Sequence, residues 1–135
     1  MNYFAIPGIK RNKSDIAPQT VLEAIEKVTN VNSGEIVSRR RHRYLVEPRH
    51  IYCHIMRYRA LWDWRRIGDS IERNHATAIN SANQAIGLYK FDAEFKRKYD
   101  RVMSYIRMFQ LSNESQSETV LSKYYKMKNE SIYGA

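Results

Sequence analysis

Asp63-Trp64-Arg65-Arg66-Ile67-Gly68-Asp69-Ser70-Ile71, then Glu72-Arg73-Asn74, then His75-Ala76-Thr77-Ala78-Ile79-Asn80-Ser81-Ala82, is the stretch whose reading decides the fold. Asp63 is a helix-capping residue type, and Trp64, Ile67 and Ile71 recur at helical spacing, so a short helix runs from there to Ile71. Glu72-Arg73-Asn74 reads as a tight turn, and Asn74 caps a second helix from His75 to about Leu88. Ala78, Ile79, Ala82 and Ile86 are expected to face inward, with Thr77, Asn80, Ser81 and Gln84 outward. Two short helices across a tight turn have the proportions of a helix-turn-helix. The second helix opens with the short side chains of His75, Ala76 and Thr77, which allow deep entry into a major groove. Thr and Ala methyls suit thymine methyls, and Asn and His suit base-edge donors and acceptors.

The charge pattern around this pair points the same way. The 135-residue chain carries a formal net charge of +9, and the excess is concentrated. Arg39, Arg40, Arg41, Arg43, Arg49, Arg57, Arg59, Arg65 and Arg66 face only Glu47 and Asp63 over that span, with no lysine. Arginine's planar fork matches phosphates and guanine edges better than a lysine point charge does. Such a concentration repels itself unless a polyanion meets it, so a nucleic acid is the implied partner.

Outward from the pair, every element reads as a helix. Residues 1–17 form a basic arm broken by Pro7-Gly8, and Pro18 opens a helix to about Thr29 with Val21, Leu22, Ile25 and Val28 on one face. Ser33 is a plausible cap for a short helix with Ile36 and Val37 inside. Arg39 to Arg43 is too charged for a core and reads as a loop; Glu47-Pro48 starts a helix to about Leu61, with Ile51, Ile55, Tyr58 and Trp62 along one side. Asp92 caps a helix to about Gln110 carrying Phe95, Tyr99, Val102, Ile106 and Phe109. Residues 111–135 form a polar tail in which Val120-Leu121-Tyr124-Tyr125 suggests one more short helix. No segment alternates like a strand. The expected fold is all-α, about six helices, with a helix-turn-helix domain at 18–110.

Other chemistries fare worse. No apolar run approaches the roughly 20 residues that span a bilayer, and a secretory signal is not apparent. One cysteine, Cys53, allows no intrachain disulfide and fits a reducing cytoplasm. His50 and His54 have a metal-clamping spacing around Cys53, but a third and fourth ligand are not evident. His75 lacks a partnered nucleophile or carboxylate in sequence, and the tyrosines, Tyr58 and Tyr99 among them, fall at core spacing. Trp62 and Trp64 read as core or backbone-brushing residues, not a stacking platform. No catalytic residue, cofactor or metal is expected.

Four stretches then combine: Ser38-Arg39-Arg40-Arg41-His42-Arg43, Glu47-Pro48-Arg49-His50-Ile51, Arg66-Ile67-Gly68-Asp69-Ser70-Ile71 and Arg73-Asn74-His75-Ala76-Thr77-Ala78-Ile79. Over about residues 18 to 105 the sequence resembles the C-terminal DNA-binding domain of the bacterial replication initiator DnaA: a basic loop, a proline-arginine helix start, an isoleucine-glycine turn and the opening of a recognition helix. The resemblance implies minor-groove reading by one or more of Arg39, Arg40, Arg41 and Arg43, favoured where A·T tracts narrow the groove. It implies base-edge contacts from Arg73, Asn74, His75, Ala76 and Thr77. It also places Arg49 and Arg57 on phosphates, and Trp64 and Arg65 where the first helix of the pair brushes the backbone.

Departures accompany the likeness. Where the family has phenylalanine and two glycines before the reader arginine, Ile71-Glu72 stands one residue shorter and sets an acid close to DNA. Ala78 and Asn80 replace an apolar residue and a histidine, so the family's A·T-rich box does not carry over. Gly8, Gly34, Gly68, Gly87 and Gly134 form no phosphate-binding loop, and 135 residues are too few for the family's ATPase. The expected function is sequence-specific duplex binding that marks an origin or operator. A protein–protein adaptor in replication or regulation is the rival from another class, and RNA binding is open as well.

Overall fold

A computed structural model describes residues 16–132, with side chains through Ser112. The basic arm at 1–17 therefore falls outside it except for Ile16 and Ala17, as do the side chains of Val120 to Tyr125. Six α-helices occur among the described residues, and no strand. They are α1 (Pro18–Thr29), α2 (Ser33–Ile36), α3 (Val46–Tyr58), α4 (Trp64–Ser70), α5 (His75–Phe91) and α6 (Ala93–Ile132), with a 3-10 turn at Arg43–Leu45 before α3. The fold is all-α, as the sequence predicts.

Local signals set most boundaries. Pro18 opens α1, where its missing N–H costs nothing, and Asn30 ends it in the left-handed region at φ 59°. Asp63 caps α4 by accepting from the Arg66 N–H at 2.8 Å. Asp92 caps α6 by accepting from the N–H groups of Glu94 and Phe95. The cap of α2 is Asn32, which accepts from the Gly34 N–H at 2.8 Å, and not Ser33. Ser33 instead anchors α2 to α1: its N–H and hydroxyl both donate to the Glu26 carboxylate.

Helix α3 is the central strut, packed against α1 and α5, and it buries Ile51, Tyr52, Cys53, Ile55 and Met56. Helix α1 covers it with Val21, Leu22, Ala24 and Ile25, and α6 closes the core with Phe95, Tyr99, Val102 and Ile106. Each such aliphatic side chain contributes about 1.5–3 kcal/mol by leaving water. The α3 end differs from the Leu61 boundary read from sequence. The helix stops at Tyr58 because the chain doubles back: Leu61 turns left-handed at φ 62°, and the Trp62 N–H donates to the Met56 carbonyl. Helix α5 runs on past Leu88 to Phe91, and α6 passes Gln110 and continues to Ile132.

His50 and His54 point to different neighbours, so they form no clamp. The His50 Nδ1 lies 3.2 Å from the Ser81 hydroxyl of α5, and the His54 Nδ1 lies 2.7 Å from the Tyr99 hydroxyl of α6. Burial pulls the His54 pKa down to about 4, with the nearby Arg59 charge adding to the effect. Burial likewise pushes the Cys53 thiol up to about 12, which leaves it an inert core group.

Candidate nucleic-acid interface

The turn between α4 and α5 rests on a close backbone approach. The Arg73 N–H donates to the Gly68 carbonyl at 2.8 Å, and a β-carbon on Gly68 would meet the Arg73 carbonyl oxygen at 2.7 Å. Glu72 takes the left-handed conformation at φ 54°, which glycine adopts freely and an L side chain does not. The shortened turn is thus made with a strained acid where the resembled family has glycine.

Asn74 then caps α5: its Oδ1 accepts from the Thr77 N–H at 2.8 Å and from the Thr77 hydroxyl at 3.0 Å. With its proton committed, that hydroxyl offers lone pairs and a neighbouring methyl, a set suited to base amino groups and thymine methyls. Asn74, His75, Ala76 and Thr77 are all exposed, and the free N–H groups of this helix end favour a phosphate nearby. The inner face of α5 is rotated from the sequence reading. Ala78, Ser81, Ala82 and Ala85 are buried, while Ile79 and Ile86 are only half-buried. Small residues win the inner positions because α3 and α4 both press close to α5. Ser81 is tolerated there because His50 satisfies its hydroxyl.

The arginine loop meets this helix end directly. The Arg73 guanidinium donates to the carbonyls of Arg39 at 3.1 Å and Arg40 at 3.3 Å. The side chains of Arg39, Arg40, Arg41 and Arg43 are exposed. Arg40 also donates to Glu35 at 3.1 Å, and Glu35 takes a second bond from the Tyr44 hydroxyl at 3.0 Å. Glu72 lies 3.9 Å from Arg39, a solvent-exposed pair worth little in stability. Between loop and helix opens a cleft of about 370 Å³, with Arg41 and His42 on the loop side and Thr77 and Ser81 on the α5 side.

Arg49 takes a different place from the phosphate contact read in sequence. It is 8% exposed, and its guanidinium donates to the carbonyls of Ile36 at 2.9 Å, Glu35 at 3.1 Å and Ser38 at 2.7 Å. It thereby ties off the α2 end that leads into the arginine loop, and only part of it borders the cleft. Arg73 likewise spends donors on the loop. Arg57 donates to the Trp62 carbonyl at 3.1 Å and lies 4.9 Å over the Trp64 ring, while Arg66 stacks at 3.7 Å on Trp62. Half-buried Trp64 meets the edge of Tyr58, and Arg65 is exposed beside it. Sequence reasoning missed Glu35, Tyr44 and Ser81, whose roles depend on segments distant in the chain.

The family model for the bacterial dnaA protein helix-turn-helix matches residues 18–85, half of the chain. The chain belongs to this dnaA helix-turn-helix family. The family is one of DNA-binding domains, and the matched span holds the arginine loop, α4, the turn and the start of α5. No curated protein matches the chain. Among the described residues, no helix is long and apolar enough to cross a membrane.

Proposed function

We propose that this dnaA-type domain binds duplex DNA sequence-specifically, with the start of α5 in the major groove and the arginine loop in the adjacent minor groove. The observation that carries the reading is the pair of bonds from Arg73 to the Arg39 and Arg40 carbonyls. They join the guanidinium-rich loop and the capped helix end in one continuous, cation-rich surface. In this reading Asn74, His75, Ala76 and Thr77 meet base edges, and Arg39, Arg40, Arg41 and Arg43 supply the minor-groove contacts. Arg57, Trp64 and Arg65 flank the backbone. Arg49 positions the loop from beneath, and Arg73 serves as its tether, so each shapes recognition through its neighbours. Binding, not catalysis, is the activity assigned, and marking an origin or operator is its expected use.

Titrating random-sequence duplex, single strands and RNA at about 50 and 200 mM salt tests the proposal. Duplex is expected to bind best, with affinity falling steeply as salt rises. Thr77→Ala should blur sequence preference in a site-selection experiment, whereas Arg65→Ala should weaken all duplexes alike. Equal preference for single strands or RNA would overturn the duplex assignment, and equal effects from the two variants would overturn the division of labour.

A further inference from the structure

We propose that His50 is a proton-linked DNA contact: the cleft between the arginine loop and α5 takes one backbone phosphate, and the imidazole gains a proton as it does. The inference rests on the duplex reading above, because a strand passing between the two grooves crosses the space between the loop and the helix. Arg41, Arg49 and Arg73 border that space, and among the described residues no carboxylate lines it. Exposed Arg41 supplies a guanidinium there, while Arg49 and Arg73, whose guanidiniums are committed to backbone carbonyls, add positive charge from the wall, and a cleft of about 370 Å³ with that balance suits a phosphate diester.

His50 borders the same cleft from α3. Its Nδ1 is engaged by the Ser81 hydroxyl at 3.2 Å, so Nε2 is the ring nitrogen the proposal gives to the phosphate. The hydroxyl can serve both charge states: it donates to Nδ1 of the neutral ring and accepts from Nδ1–H of the imidazolium. In the free protein, burial holds the His50 pKa below its ordinary value, with Glu47 on the same helix opposing. Glu47 is itself bridged to Lys98 of α6 at 3.2 Å. From the loop Arg41 and the titratable His42 face the cleft, and from the turn Arg73; α5 contributes only the neutral Thr77 and Ser81. Burial alone disfavours the charged ring in the free protein, whereas a phosphate in the cleft supplies a counter-charge that favours it. Duplex binding therefore draws a proton onto the ring, and by linkage affinity rises as pH falls.

Fluorescence anisotropy with a random-sequence duplex, at fixed ionic strength and at pH 6 and pH 8, reads the linkage. One proton limits the effect to about tenfold per pH unit, and we expect about fivefold tighter binding at pH 6. His50→Gln should cut that ratio below about twofold. Ring resonances of His50 in the wild-type protein, followed by NMR with and without duplex, give a readout independent of any variant; they should titrate at higher pH in the complex. An unchanged pH ratio in His50→Gln, or identical ring titrations with and without duplex, overturns the inference while the duplex reading stands. Absence of duplex binding at both pH values overturns both.

Discussion

Replacing Gly68 by alanine puts one methyl group where the turn of the helix pair has no room. The new β-carbon would lie 2.7 Å from the Arg73 carbonyl oxygen, 2.9 Å from that of Asn74 and 3.0 Å from the Asn74 carbonyl carbon. All three are backbone atoms, so no side chain can swing aside and the start of α5 must move. Overpacking of this kind costs about 1–3 kcal/mol. Alanine's better helix propensity within α4 returns up to about 1 kcal/mol. The net expectation is a loss of about 1–2 kcal/mol, or roughly 4–8 °C in Tm for a domain of this size. The matched control is Gly87→Ala in α5, where a β-carbon meets nothing within 4 Å. There the same substitution should stabilise by about 0.5–1 kcal/mol. Urea and thermal denaturation followed by circular dichroism measure both variants. Because the displaced segment carries Arg73 and Asn74, Gly68→Ala should also weaken duplex binding by about tenfold even where the variant is fully folded. If Gly68→Ala matches Gly87→Ala in stability, the close approach does not govern the turn and the reasoning fails.

Three more expectations follow from the geometry. Glu72→Gly relieves the left-handed backbone at φ 54° and should stabilise by about 0.5–1 kcal/mol in urea, while removing an acid from the interface should tighten duplex binding; a less stable variant would count against strain at that position. His54 titrates near 4 when folded and near the ordinary histidine value when unfolded, so only the unfolded chain takes up its proton between those limits. Stability is complete above about pH 6.5 and should fall by about 3 kcal/mol toward pH 4, a slope that His54→Phe should flatten in pH-dependent melts. Arg49→Lys keeps the charge but cannot span three carbonyls; it should cost about 2–3 kcal/mol and weaken duplex binding, with Arg49→Ala worse on both counts.

What the sequence revealed was what local chemistry decides. Pro18, Asp63, Asn74 and Asp92 act at the helix starts where residue type alone places them, because a cap or a first-turn proline needs only its next three residues. The helix-turn-helix was legible for the same reason, and the uneven spread of arginine marked the loop that the structure sets beside the start of α5. The inner face of α5 was misjudged because isoleucine is the more hydrophobic choice, whereas close packing by α3 and α4 rewards Ala78, Ala82 and Ala85. Arg49 was misplaced because its partners lie 11 to 14 residues earlier, and nothing in a run of arginines says which one turns inward. The left-handed turn at Leu61 was equally hidden, since leucine carries no signal for it.

The Arg73 tether has one more consequence. In the proposed docking, a loop and a helix end tied together in this way gauge a single span. One extra base pair between the minor-groove and major-groove features would shift them by about 3.4 Å and rotate them by about 35°. Two hydrogen bonds from one guanidinium to adjacent loop carbonyls leave little slack to follow such a step. Binding sites selected from random DNA should therefore share one spacing between their two halves, and loosening Arg73 should be the change that lets the caliper slip.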